Sequence, residues 1–102
     1  MAQSISVSDL LLYGKQNAVS RLYLAGQTGL DERVVRQHIN RLRLRGAPII
    51  SGNAGYHLTN DPYEAESFAR SMLHRAQEIA RVADAMLCTA DRLRGQERLE
   101  GF

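Results

Sequence analysis

The stretch that most constrains the fold runs from Pro62 to Arg94, because it contains no glycine and no proline after its first residue. Nothing in it stops a helix once one has begun. Apolar side chains recur there in steps of four and three, which is the heptad spacing of helices that pack on other helices. At about 1.5 Å per residue such a helix is about 50 Å long. A chain of 102 residues cannot cover that length with its own core, so the apolar stripe must be buried elsewhere.

The stripe alternates small and large apolar residues. Alanine fills one core position of each heptad and a larger residue fills the other, while Leu73, Ala80 and Leu87 widen the stripe on one side. Alanine at every seventh residue lets two helix backbones approach closely, and the pattern resembles the alanine-rich type of antiparallel coiled coil. We therefore expect homodimerisation, and the alternative is that another protein covers the stripe. The expected interface residues are Ala69, Met72, Ala76, Ile79, Ala83, Met86, Ala90 and Leu93.

The start of this helix is well marked. Asp61 is the expected N-cap, Pro62 suits the first helical position, and Glu64 is spaced to complete a capping box. Another arrangement folds the helix back on the preceding part of the chain. That arrangement accounts for the first two turns, through Tyr63 and Phe68, but leaves the remaining stripe uncovered.

A second helix is expected within Thr28–Gly46, TGLDERVVRQHINRLRLRG. Asp31 can cap it, and the closing glycine ends it. Val35, Ile39 and Leu42 share one face of a 3.6-residue period, so they should point into a core. The sequence therefore predicts a helix with one buried side and one exposed side.

The exposed side of this second helix is basic. Residues 31–46 carry a net charge of +3, whereas residues 61–102 carry −2. Arginine binds phosphates, and asparagine and glutamine can pair with the edge of adenine, so the pattern favours DNA over a face that is merely solvated. The expected major-groove residues are Arg33, Arg36, Gln37 and Asn40; the expected phosphate contacts are Arg41, Arg43 and Arg45, with further backbone contacts from Ser20, Arg21 and Thr28.

Shorter elements precede the basic helix. Ser8–Tyr13 is expected to form a short helix with Ser6 or Ser8 as its N-cap and Gly14 at its end. Its three consecutive leucines are expected to be buried. Ala18 and Val19 suit a brief extended contact. Ser20–Gly29 is expected to form a helix with a serine N-cap, joined to the basic helix by a tight turn containing glycine.

A β-hairpin is expected after the basic helix. Pro48–Ser51 and Tyr56–Thr59 are short β-prone runs, and Gly52–Gly55, GNAG, has the composition of a turn between them. Helix, helix, turn, basic helix and hairpin is the element order of a winged helix domain.

Residues 10–59 resemble the winged helix-turn-helix domain found at the N-terminus of biotin operon repressors and in small bacterial and phage DNA-binding proteins. The resemblance rests on TGLDERVVRQHINRLR, on the passage from Leu42 to Ser51, and on the Gly55-Tyr56 pair. It implies a DNA-binding fold with the hairpin as the wing. The tip Asn53-Ala54 departs from the pattern because it carries no Arg or Lys. No ligand-sensing domain follows, so no small-molecule effector is implied.

The predicted fold class is mainly α with a small β-hairpin, a winged helix-turn-helix followed by a long C-terminal helix. Its expected divisions are a flexible N-terminus at 1–7, the winged domain at 8–60, the dimerisation helix at 61–94 and a flexible tail at 95–102. One domain of this size argues against an enzyme. The lone Cys88 cannot form an intramolecular disulfide, and the three scattered histidines lack the spacing of metal ligands.

The sequence thus predicts a dimeric transcriptional regulator of bacterial or phage type that binds specific double-stranded DNA. No cofactor or metal is expected. No membrane partner is expected either, since no apolar run reaches the roughly 18–20 residues that span a bilayer. A reducing cytoplasm is the compartment that fits best. The alternative is a winged helix that serves as a protein-interaction or assembly adaptor through its long helix. The uncharged hairpin tip and the acidic C-terminal half favour the adaptor, and the basic helix disfavours it.

Overall fold

The structure is a computed structural model that describes residues 5–100, with side chains over residues 5–96. It is mainly helical, with a two-stranded hairpin and a long C-terminal helix, which confirms the predicted composition of the fold. The elements in chain order are α1 (Val7–Leu10), a 3-10 turn (Lys15–Asn17), α2 (Arg21–Thr28), α3 (Glu32–Leu44), β1 (Ile49–Gly52), β2 (Gly55–Leu58) and α4 (Pro62–Glu100).

The chain divides into two compact units, Met1–Phe68 and Ala69–Phe102. The first unit has a small apolar core to which every described helix before α4, and strand β1, contributes. Its buried residues are Val7, Leu11, Leu24, Val35, Ile39 and Ile49. Val35 and Ile39 of α3 are almost completely buried, as their spacing predicts, and Leu42 packs beside them.

Helix α1 begins earlier than expected. Ser6 is its N-cap and forms a reciprocal capping box with Asp9, so the choice between the two serines falls on Ser6. Val7, expected in a frayed N-terminus, starts the helix and is 1% exposed. The expected burial of three leucines is wrong for Leu12, which is 51% exposed because the chain has left the helix by that point. Residues 1–4 of the expected flexible N-terminus lie outside the described residues.

Helices α2 and α3 are joined by a short turn. The Ser20 side chain accepts a hydrogen bond from the backbone N–H of Tyr23, which confirms the predicted cap of α2. Gly29 ends that helix at a φ of 75°, a left-handed conformation that glycine adopts at little cost. Asp31 stands at the N-cap position of α3 with extended backbone, but its side chain makes no capping hydrogen bond.

The predicted hairpin is confirmed. Strands β1 and β2 pair antiparallel, with Ser51 opposite Tyr56, and Asn53-Ala54 forms the turn. The predicted extended contact at Val19 is also confirmed, because Val19 and Tyr56 exchange backbone hydrogen bonds of 2.9 and 2.7 Å. The segment between α1 and α2 thereby ties the hairpin to the helices.

The first two turns of α4 belong to the first unit. The Asp61 side chain accepts from the Tyr63 N–H, so Asp61 caps the helix as predicted. The predicted capping box is wrong, because the Asp61 N–H donates to Thr59 Oγ1 while Glu64 lies against His57. Phe68 is half-buried, whereas Tyr63, expected to pack on the domain, is 79% exposed.

The second unit is the remainder of α4. The helix continues through Gly95 to Glu100, so the expected end near Arg94 and the tail from residue 95 are wrong for residues 95–100. One glycine costs a helix only about 1 kcal/mol, which a long helix tolerates. Residues 101–102 of the expected tail lie outside the described residues.

Candidate nucleic-acid interface

Helix α3 presents one continuous polar surface, which we call the α3 outer face. Successive residues of a helix turn by about 100°, so residues spaced three and four apart on the side opposite Val35 and Ile39 share this surface. All of its polar side chains are exposed, and they unite five of the predicted DNA contacts: Arg33, Arg36, Gln37, Asn40 and Arg41. The buried side of α3 fixes the orientation of this face, because Val35 and Ile39 are held in the core.

Leu44 ends the same surface and was given no role by the sequence. It lies four residues after Asn40 and is 89% exposed. The i, i+4 spacing from Asn40 is the signal that could have placed it there. An apolar side chain at this point can contact the methyl group of thymine in a major groove.

Arg43 does not belong to the α3 outer face. Its Nε donates to the Ile49 carbonyl at 3.0 Å, one terminal nitrogen lies 3.4 Å from Ser51 Oγ, and the guanidinium stands 5.0 Å from the centre of the Phe68 ring. These contacts join α3 to the hairpin and to the first turns of α4. They hold the unit together, and a phosphate contact by Arg43 would have to compete with them.

Two residues that were predicted to contact the DNA backbone, Ser20 and Arg21, lie at the start of α2. Ser20 is exposed but its hydroxyl caps the helix. Arg21 Nε donates to Glu32 Oε1 at 3.1 Å, and this hydrogen bond raises the pKa of Arg21 above its ordinary value. Because Glu32 begins α3, the pair joins the ends of the two helices, and any phosphate contact by Arg21 must compete with a carboxylate.

The Thr28 side chain also forms hydrogen bonds inside the protein. Its hydroxyl donates to the Leu24 carbonyl at 2.7 Å and accepts from the Leu30 N–H at 3.3 Å. The side chain thus stabilises the turn between α2 and α3. The last predicted contact, Arg45, is exposed directly after α3.

The hairpin has a neutral tip and a buried histidine behind it. Asn53 and Ala54 are exposed. His57 of β2 is 5% exposed, and its Nε2 lies 3.1 Å from Glu64 Oε1; this hydrogen bond is the main cause that lowers the pKa of Glu64. A shallow cavity of about 190 Å³ lies beside the pair and is lined mostly by the hairpin and by Lys15. Sequence spacing had assigned His57 no partner.

The heptad stripe of α4 is a separate surface, consisting of the predicted interface residues from Ala69 to Leu93. Its large members Met72, Ile79, Met86 and Leu93 are 40–70% exposed. Its alanines are also exposed, except Ala90, which is half-buried. Leu73, Val82 and Leu87 extend the apolar surface on both sides and are also exposed. Cys88 is exposed as well.

Over the described residues, no cluster of three His, Cys, Asp or Glu side chains could hold a metal ion. Nor does any helix in residues 5–100 combine the length and apolarity that crossing a membrane requires.

Comparisons with known protein families, with curated proteins and with solved structures find no match to this chain.

Proposed function

We propose that this protein is a winged helix-turn-helix DNA-binding protein and acts as a dimeric transcriptional regulator. The observation that carries the proposal is the α3 outer face, a continuous exposed surface of arginine and amide side chains on a helix whose other side is held in a core. A major groove about 12 Å wide admits one helix, and this combination supplies both phosphate-binding and base-reading groups.

Within this proposal, Arg36 and Asn40 read base edges, together with Arg33 and Gln37. Arg41 and Arg45 bind phosphates, because they lie at the margin and at the end of the face. Leu44 adds an apolar contact. Ser20, Arg21 and Thr28 keep smaller roles, since all three already have partners inside the protein.

The order of elements supports the winged helix class. Helices α2 and α3 are separated only by residues 29–31, and the hairpin follows α3 directly. The backbone exchange between Val19 and Tyr56 gives the hairpin a third extended segment. These features fit a helix-turn-helix with an attached wing. Because the tip of the wing carries no charge, the wing contributes little to DNA binding.

Self-association through α4 completes the proposal. Two copies linked by a common interface bring two α3 helices to one DNA, and the second contact then forms at a high effective concentration. The regulator is non-catalytic, requires no cofactor, and works in the cytoplasm.

The second candidate is a protein-interaction adaptor, which one observation favours. Leu22 of α2 is 69% exposed and Leu44 is 89% exposed, and exposed apolar residues of this size suit a protein partner. In that case the heptad stripe and the first unit would bind proteins, and the arginines of the α3 outer face would only be solvated surface residues.

A gel shift with mixed genomic fragments tests the proposal. We expect the wild-type protein to retain a subset of fragments when unlabelled random DNA is added in excess. Asn40→Ala should lose this selectivity, whereas Arg81→Ala on α4 should keep it. Retention of no fragment at low salt by the intact protein would reject DNA binding and favour the adaptor.

A further inference from the structure

The heptad stripe of α4 has a two-sided composition that bears on how a second copy could pair with it. One core position of each heptad holds Ala69, Ala76, Ala83 or Ala90, and the other holds Met72, Ile79, Met86 or Leu93. From Ala69 to Met86 these side chains are exposed. The two classes differ by several carbon atoms in length, so the direction of the partner helix decides which sizes meet.

In a parallel pair in register, each residue meets its own copy. Ala76 would face the partner's Ala76, and Ile79 would face the partner's Ile79. The interface would then alternate between layers with two small side chains and layers with two large ones. Helix backbones cannot change their separation within one turn, so the alanine layers would leave voids, each costing about 1 kcal/mol or more.

An antiparallel pair matches small with large in every layer, because one core position then faces the other. With the apolar stripes fully overlapped, Ile79 packs against the partner's Ala83 and Met86 against the partner's Ala76. Leu93 packs against the partner's Ala69. All layers then have the same width, and the alanines let the two backbones come close.

The same register brings the flanking residues together favourably. Leu73 lies beside the partner's Leu87, so the leucines that widen the stripe are covered as well. Farther out, Arg70 lies beside the partner's Asp91, and Arg94 lies beside the partner's Glu66. Asp91 and Arg94 of one copy already form an ion pair, so the second copy would extend that pair into a network of alternating charges. In a parallel pair, Arg94 would lie beside the partner's Thr89 and gain no opposite charge.

We propose that two copies of this chain pair through α4 in this antiparallel register, with the twofold axis passing close to Ala80. The proposal rests on the self-association proposed above but does not depend on DNA binding. It names the second copy as the occupant of the stripe on two grounds, the matching of small with large residues and the complementary charges on the flank.

Cysteine cross-linking of the full-length chain tests the register. In a Cys88→Ser background, Ala80→Cys places the two cysteine residues on either side of the twofold axis. Their positions along the helix axes then differ by only about 3 Å. Ala76→Cys is the matched control, because its two copies are separated by about 15 Å in the antiparallel register. A disulfide requires Cα atoms less than about 7 Å apart.

We expect mild oxidation to convert Ala80→Cys mainly into a covalent dimer and to leave Ala76→Cys mainly uncrosslinked. Sedimentation equilibrium of the reduced proteins supplies the second measurement. The reverse cross-linking pattern in a dimeric protein would overturn the antiparallel register and indicate a parallel pair. Equal cross-linking of both variants, or of neither in a dimer, would also overturn it. A wild-type protein that stays monomeric at tens of micromolar would overturn self-association itself.

Discussion

Replacing Arg43 with alanine should unfold the first unit more easily while leaving the α3 outer face in place. The Arg43 guanidinium donates to the Ile49 carbonyl at 3.0 Å and stands 5.0 Å from the centre of the Phe68 ring. A hydrogen bond to a charged group contributes about 1.5–3 kcal/mol. The cation–π contact adds about 0.5–1 kcal/mol. Because the side chain is only half-buried, we take the lower ends and expect a loss of about 2 kcal/mol.

The assay is thermal unfolding followed by near-ultraviolet circular dichroism, since Tyr56, which packs against the core, reports tertiary packing that the α4 helical signal would mask. In a domain of about 60–100 residues, 1 kcal/mol lowers the midpoint by about 4–8 °C. We expect a drop of about 10 °C for Arg43→Ala. Arg45→Ala is the matched control, because it removes the same charge from an exposed site, and it should change the midpoint by less than about 3 °C.

Arg43→Lys separates charge from geometry. Lysine keeps the positive charge but lacks the planar fork that reaches the carbonyl and covers the ring, so it should recover only part of the lost stability. An Arg43→Ala protein with an unchanged midpoint and weaker DNA binding would show that Arg43 contacts phosphate and does not stabilise the first unit.

Two contacts attach the hairpin to its neighbours, since His57 bonds to Glu64 and Gly55 lies against Val19. Glu64→Gln should lower the melting temperature at neutral pH, and the difference from wild type should disappear in acid. The folded-state pKa of Glu64 is lowered, so the carboxylate stabilises the fold above its ordinary pKa of 4.5, and this stabilisation is lost as the pH falls through the folded-state pKa. A difference in melting temperature that grows in acid would contradict this assignment. Gly55→Ala should destabilise the first unit by about 1–3 kcal/mol, because Gly55 has a φ of 115° and an added Cβ would collide with the Val19 carbonyl; the control Gly26→Ala, which meets no atom within 4 Å, should be neutral or stabilising in the same denaturant titration.

Periodicity was sufficient to predict the main elements. The apolar spacing of Val35 and Ile39 gave α3 its buried side, and the uninterrupted heptads predicted α4. Both signals are local and repeat over several turns, so tertiary context does not override them. The hairpin was predictable for a similar reason, because its β-prone runs flank a glycine-rich turn.

Sequence reasoning missed contacts between side chains that are distant in sequence. It did not foresee that Arg43 contacts Ile49 and Phe68, which come from other elements. Helix-start chemistry assigned Glu64 to a capping box, whereas the fold brings it to His57. A spacing rule cannot include such contacts, since they arise only when the chain has folded.

The ends of elements were the other weak point. A run of leucines is apolar whichever structure it adopts, so it did not reveal that Leu12 leaves the core. Gly95 suggested a helix end, yet the helix continues past it. One unfavourable residue is a small cost against the many hydrogen bonds of a long helix.

Whether the α3 outer face reads DNA is tested most directly by the equilibrium binding of a selected duplex and of a random duplex across a salt series. We expect Asn40→Ala to weaken the selected duplex by about 1–3 kcal/mol and to leave the random duplex nearly unchanged. Arg41→Ala should weaken both duplexes alike and reduce the salt slope by about one. Equal affinities of wild type, Asn40→Ala and Arg41→Ala for the selected duplex would show that the α3 outer face does not bind DNA.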